Sequence, residues 1–219
     1  MRVIGIDLSG PSNHKDTVLT VFEAENRQLR FLKSRSHLSD EEILKEISVQ
    51  SQVDEVVIGI DAPLSYEDGG GDRESDRNLR KFIVEIGMKP GSIMPPTLNR
   101  MVYLTLRGIK LSREIAAQPS LHPISIVEVH PGAVIGSRLS QVEMDYLLTY
   151  KKDFEVRKVL LGWLEQQQLI GIPETAAEQC HSIDACAAAL GAWHWGDPAF
   201  TPKWRTLAKP PLHPYEFCC

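Results

Sequence analysis

The pentapeptide Val-Ile-Gly-Ile-Asp occurs twice in the chain, at 3–7 and again at 57–61. Each copy is an apolar run closed by an aspartate, which reads as a buried strand with a carboxylate at its end. Side chains alternate along a strand, so Asp7 shares a face with Gly5, and Asp61 with Gly59. Five residues are too few to argue a gene duplication, but they do make two buried strands end alike. If these strands are parallel neighbours, both carboxylates emerge at one end of a sheet. Ligands of open α/β sheets bind at that end. Two close carboxylates repel, and one is pushed toward its protonated form unless a proton or cation is shared. A hard divalent cation, Mg²⁺ or Mn²⁺, would resolve the conflict with oxygen ligands. The plainer reading of either aspartate alone is a strand-end turn former.

The intervening sequence supports such a pairing. Val3–Leu8, Thr17–Phe22 and Gln28–Lys33 read as three strands with short connections, hence an antiparallel meander. Ser39 and Glu42 form a capping box that opens a helix. That helix supplies a crossover, so a fourth strand at Val56–Asp61 can run parallel to the first. Gly69-Gly70-Gly71 marks a loop. A basic helix is expected over about 75–86, a proline-rich loop over 89–96 and a second helix over about 98–117. A fifth strand, Ile124–Val129, ends in His130-Pro131-Gly132. Further helices are expected over 154–169 and 175–195. From Asp197 the tail is rich in proline and without period, so it is expected to wrap the surface. The chain therefore reads as a single α/β domain, residues 1–219, with a helical and loop insertion at 62–123 and a tail at 197–219.

A third carboxylate, Asp184, lies in Cys-His-Ser-Ile-Asp-Ala-Cys-Ala-Ala-Ala at 180–189. An acid inside so apolar a helix is costly unless it is paired or metal-bound. The alanines allow the helix to press on a sheet and carry Asp184 to the strand ends. His181, three residues earlier, shares its face and is a candidate ligand, proton shuttle or outer partner. Glu128, among apolar residues of the fifth strand, also needs a partner. A metal and a basic residue such as Arg77 or Arg80 both remain open.

Charge and cysteine usage narrow the function classes. The net charge of -5 argues mildly against tight nucleic-acid binding, but its distribution is uneven. Between Arg73 and Arg113 stand nine basic and three acidic residues, leaving the rest of the chain at -11. A basic segment on an acidic body suits a phosphate-bearing substrate, though helices also carry such charge on a solvated face. No apolar run approaches the roughly 18 residues of a membrane span, and Met1–Gly10 reads as a strand rather than a leader, so a cytoplasmic protein is expected. The four cysteines, at 180, 186, 218 and 219, contain no CxxC pair, and reduced thiols are expected. No G-x-S-x-G elbow or HExxH is present.

The segments GIDLSG, VIGIDAPLS, DRESDRNLR, VEVHPGA and HSIDACAAALGAW occur in that order from the first strand to about Trp195. In this the chain resembles a family of ribonuclease-H-like nucleases of uncharacterised function, the DUF429 type, related in fold to the Holliday-junction resolvase RuvC. The resemblance implies a mixed five-stranded sheet of order 3-2-1-4-5 flanked by helices. It places Asp7 on the central strand, Asp61 on its neighbour and Asp184 on the C-terminal helix, with Arg73, Asp76 and Arg80 lining the site and binding substrate. Related resolvases often carry two acids at i, i+3 on the last helix, whereas here the first is His181. The implied activity is phosphodiester hydrolysis in DNA or RNA by two Mg²⁺ or Mn²⁺ ions about 4 Å apart. Asp7, Asp61 and Asp184 would be ligands, Glu128 and His181 would assist, and Arg73, Arg77 or Arg80 would steady the phosphate. Two other readings stand beside it. One is a nucleotide-binding phosphotransferase of the actin-like ATPase relatives, which the proline in Ser9-Gly10-Pro11-Ser12 disfavours as a phosphate loop. The other is a non-catalytic RNA- or protein-binding module. The sequence leaves the oligomeric state open, a homodimer included.

Overall fold

The computed structural model describes all 219 residues. The twin pentapeptides form β1 (Arg2–Asp7) and β4 (Val56–Asp61). They pair in parallel with Gly5 opposite Gly59 and Asp7 opposite Asp61. β2 (Val18–Glu25) and β3 (Gln28–Ser36) complete the antiparallel meander. Helix α1 (Asp40–Ser51) begins at the expected capping box, with both Ser39–Glu42 reciprocal bonds made. Between β4 and β5 (Ile124–Val129) lie α2 (Glu74–Glu85) and α3 (Val102–Ala117). Then come α4 (Pro131–Gly136), α5 (Met144–Thr149), α6 (Phe154–Gln166) and the two-residue strand β6 (Leu169–Ile170). Helix α7 (Cys180–Gly196) precedes the short strands β7 (Arg205–Thr206) and β8 (Phe217–Cys218).

The sheet has eight strands rather than five, in the order β6-β3-β2-β1-β4-β5-β8-β7. The inner five keep the expected 3-2-1-4-5 order, with β1, β4 and β5 parallel. The additions are two-residue strands at the edges, too short to show a period in sequence. β6 forms because α6 stops at Gln166 and Gln168 takes a positive φ of 70°, releasing Leu169 to pair with β3. β8 forms because the tail returns to the sheet, where Phe217, Cys218 and Cys219 are buried. The tail thus extends the sheet instead of only wrapping it. The helix expected over 175–195 is broken: a 3-10 turn at Glu174–Glu178 precedes α7. No helix is long and apolar enough to cross a membrane.

Two apolar layers sandwich the sheet. Ile4, Ile6, Ile58 and Ile60 point to one face, where they pack with Ile43 and Ile47 of α1 and Leu111 and Ile115 of α3. The other face carries Val3 and Val57 and is covered by α7 with α4 and α6. Gly5 and Gly59 lie on this second face. A Cβ on Gly5 would fall 1.9 Å from the carbonyl oxygen of Ala185, and one on Gly59 would fall 2.5 Å from that of Ala188. The glycines of the pentapeptide and the alanines of α7 are therefore complementary: the helix backbone rests directly on the strands. Thr20 adds a hydroxyl bond to the Ala185 carbonyl at 3.2 Å.

Candidate functional site

Because Asp7 and Asp61 share the face of Gly5 and Gly59, they point toward the start of α7, where Asp184 sits. Strand neighbours are about 4.8 Å apart, so the two in-register carboxylates crowd one another at the carboxyl end of β1 and β4. Asp7 and Asp184 are almost wholly buried, at 8% and 2% exposure, while Asp61 is half-buried. His181 Nδ1–H donates to Asp7 Oδ2 at 2.7 Å. The Tyr150 hydroxyl donates to Asp184 Oδ1 at 2.5 Å, and Lys151 Nζ lies 3.4 Å from Asp184 Oδ2. Asp61 has no hydrogen-bonding or ionic partner. Asp7, Asp61, Asp184 and His181 are thus brought together.

The electrostatics follow from this crowding. Burial, opposed by the His181 bond and reinforced by Asp184, pushes the Asp7 carboxyl up to about 6. Burial, then Asp7 and Asp184, pushes Asp61 well above the usual carboxylate range. The bond to Asp7 raises His181. Asp184, with Asp61 and Asp7, holds the Lys151 ammonium up at about 12. Ionised together, the three acids carry more negative charge than Lys151 offsets, since its side chain is 64% exposed and screened by water.

Glu128 has a different fate. Arg73 donates to both its oxygens, at 2.7 and 2.5 Å, and to both oxygens of Asp76, at 3.0 and 2.7 Å. The Leu64 amide adds a bond to Glu128 at 2.9 Å. Ser65, whose hydroxyl also meets His213 Nδ1 at 2.9 Å, accepts from Arg73 at 3.1 Å. The Arg73 ring of partners is buried, and Phe217 of β8 packs under the guanidinium. A buried ion pair with every donor and acceptor engaged is a fixed wall. Arg73, Asp76 and Glu128 line the same cavity of about 230 Å³ as Asp7 and Asp61. Arg77 and Arg80 do not line it. Arg80 binds Asp72 and the Ile93 carbonyl, and exposed Arg77 donates to the Asp72 carbonyl. The partner of Glu128 is therefore neither Arg77 nor Arg80.

Tyr150, Lys151 and His130 escape a sequence reading. Tyr150 and Lys151 follow α5, in a stretch without period, and reach Asp184 only through the tertiary fold. His130 accepts the Ala133 amide at Nδ1 (2.9 Å), capping α4, and its Nε2–H donates to the Ser92 carbonyl at 3.2 Å. Burial holds it in the neutral form. The VEVHP stretch flagged the position but not this role.

The donor set can be tested against a metal. Asp7, Asp61 and Asp184 offer carboxylate oxygens and His181 a ring nitrogen, a set suited to a hard divalent cation. Cys180, His181 and Asp184 also place one ligand atom each within 4.8 Å of one another. Burial and Asp184 push the Cys180 thiol up, away from the ligating thiolate. The oxygen-rich set fits better than a thiolate one, and the strain on Asp7 and Asp61 is what a cation relieves.

Fold and site together define an α/β protein with an acidic cluster at the carboxyl ends of its parallel strands. The chain belongs to the DUF429 family, described as proteins of unknown function, whose model matches residues 5–203. No curated protein and no solved structure matches it.

Proposed function

We propose that the chain is a ribonuclease-H-like, divalent-metal-dependent phosphodiesterase acting on nucleic acid. The observation that carries this reading is the register of Asp7 opposite Asp61 beneath Asp184. Asp7, Asp61 and Asp184 would hold Mg²⁺ or Mn²⁺. When bound, such a cation lowers the pKa of a coordinated water and stabilises charge on the departing oxygen of a phosphodiester.

The chain's own residues perform the rest. His181 fixes the orientation of Asp7 through its Nδ1 bond, and Tyr150 does the same for Asp184. Such outer partners orient the acids that face the reaction. Lys151 brings a positive charge to the mouth, where a phosphate oxygen would be met. Glu128 is held by Arg73 and shapes the wall; its proposed part is positioning, not ligation.

The test is Mn²⁺- and Mg²⁺-dependent cleavage of single-stranded, duplex and branched DNA and RNA. Wild type should cleave at least one of them. Asp7→Asn should fold, by circular dichroism, yet lose turnover by about 10³-fold or more, since a metal ligand and charge are lost together. Full metal-dependent activity in Asp7→Asn would remove the assignment.

A further inference from the structure

We infer that the site accepts a compact phosphodiester of dinucleotide size, free or as the end of a single strand, and excludes duplex and endless strands. This deepens the phosphodiesterase reading and rests on it.

The first observation is enclosure. Asp7 and Asp184 are 8% and 2% exposed, so of the three acids only half-buried Asp61 meets the surface appreciably. The roof comes from residues 92–104, the connection after α2 and the first turn of α3, where Ile93, Met94, Met101 and Leu104 line the cavity. This roof is pinned. His130 Nε2–H holds the Ser92 carbonyl at 3.2 Å and Arg80 the Ile93 carbonyl at 3.0 Å. The Thr105 hydroxyl holds the Pro96 carbonyl at 2.9 Å, and Thr97 accepts the Gly71 amide at 2.7 Å. Bonds from three separate segments, with that of Thr105 inside the cover itself, make it a fixed cover. A duplex cannot bring its backbone to carboxylates beneath it.

The second observation is size. Two chambers meet at the acids: one of about 230 Å³, the other of about 280 Å³. They share Asp61, Ser92, Met94, His130 and Lys151. Each is below the roughly 300–1,000 Å³ of a drug-sized ligand site. One nucleoside-sized group per chamber would set the linking phosphate at Asp61 and Lys151.

The third observation is charge. Of the nine basic residues between Arg73 and Arg113, four are held by carboxylates: Arg73 by Asp76 and Glu128, Arg80 by Asp72, Arg107 by Asp40, and Lys110 by Asp40 and Glu114. Duplex binders commonly neutralise about 6–10 phosphates. Facing the chambers are Lys151, 3.4 Å from Asp184 Oδ2, and Lys89 on the wall of the second, a complement suited to a short phosphodiester.

The experiment offers wild type, in Mn²⁺, a dinucleotide, a linear single strand, a circular single strand and a covalently closed duplex. Either linear substrate should be cleaved, the single strand from an end, with the circular strand and closed duplex about a hundredfold slower or intact. Cleavage of the dinucleotide alone would identify the free compound as the source; cleavage of the linear strand, its end. Asp7-dependent cleavage of the circular strand or closed duplex at a comparable rate would overturn the inference and leave the phosphodiesterase reading standing. Cleavage of none of the four, with no Mn²⁺ binding, would overturn both; with Mn²⁺ bound, it would overturn the inference alone. A second readout needs no turnover: calorimetric binding of the dinucleotide in Ca²⁺. Met101→Trp, which fills the first chamber, should weaken that binding about tenfold or more with Mn²⁺ affinity unchanged. Unchanged dinucleotide affinity would overturn the placement.

Discussion

At the scale of single residues, the site is held in tension by carboxylates crowded at the ends of two strands. Asp61 faces Asp7 across the β1–β4 pair and has no hydrogen-bond donor or ion-pair partner, and the charge of nearby Lys151 only partly offsets the effect of burial, Asp7 and Asp184. Asp7, with His181 as its donor, still rises from the usual 3.8 to about 6. The sign of the pH effect follows. The folded protein keeps a proton on Asp7 that the unfolded chain releases. The stability tied to that proton is full below pH 3.8 and is lost as pH rises through about 6. The whole effect is on the order of 3 kcal/mol. Asp61→Asn removes the opposing charge and should return roughly 1–2 kcal/mol at pH 8 in EDTA. In a chain of this size that is about 2–4 °C of Tm for each kcal/mol. Melting curves of both proteins from pH 4 to 8 should show the variant more stable at pH 8, the gap closing near pH 4. A variant that melts below wild type at pH 8 would show that Asp61 has a stabilising partner instead.

At the scale of elements, α7 and the twin strands form one device. The sequence contained both halves: a glycine two residues before each aspartate, and a run of alanines after Asp184. The periodicities of strand and helix give the shared face of Gly5 and Asp7, and the small residues give the close approach. What could not be read was the support from other elements. Lys151 and Tyr150 arrive from a segment after α5, and Arg73 reaches Glu128 from 55 positions away in the chain. Such contacts leave no period. The Arg73–Glu128 pair is the clearest instance: an acid among apolar strand residues needs a partner, but the tertiary fold brings Arg73 to it and turns Arg77 and Arg80 toward Asp72. The helix–strand contact makes a sharp prediction. Gly5→Ala puts a methyl 1.9 Å from a carbonyl oxygen that belongs to helix backbone and cannot rotate away. Overpacking of this kind costs about 3 kcal/mol or more, so Tm should fall by roughly 6–12 °C. A change below about 2 °C would mean that α7 does not rest on β1 as described.

At the scale of the whole molecule, the meander and the capped crossover helix pointed to three antiparallel strands and a parallel fourth, and the family resemblance implied the inner order 3-2-1-4-5. The outer strands were not legible, because two-residue strands are made by the edges they join. β8 matters beyond the sheet, since its Phe217 packs against Arg73 and also lines the acid cavity. The uneven charge seen in sequence also changes meaning once folded: Arg73, Arg80 and Arg107 are held by carboxylates of the chain, so part of the basic segment serves the fold around a small acidic chamber. The central claim is that this chamber holds a divalent cation on Asp7, Asp61 and Asp184. The most direct test is calorimetric titration of Mn²⁺ into wild type and Asp7→Asn at pH 7.5. Saturable binding to wild type that disappears in a folded Asp7→Asn is the predicted result. Equal binding to both, or none to wild type, would contradict it.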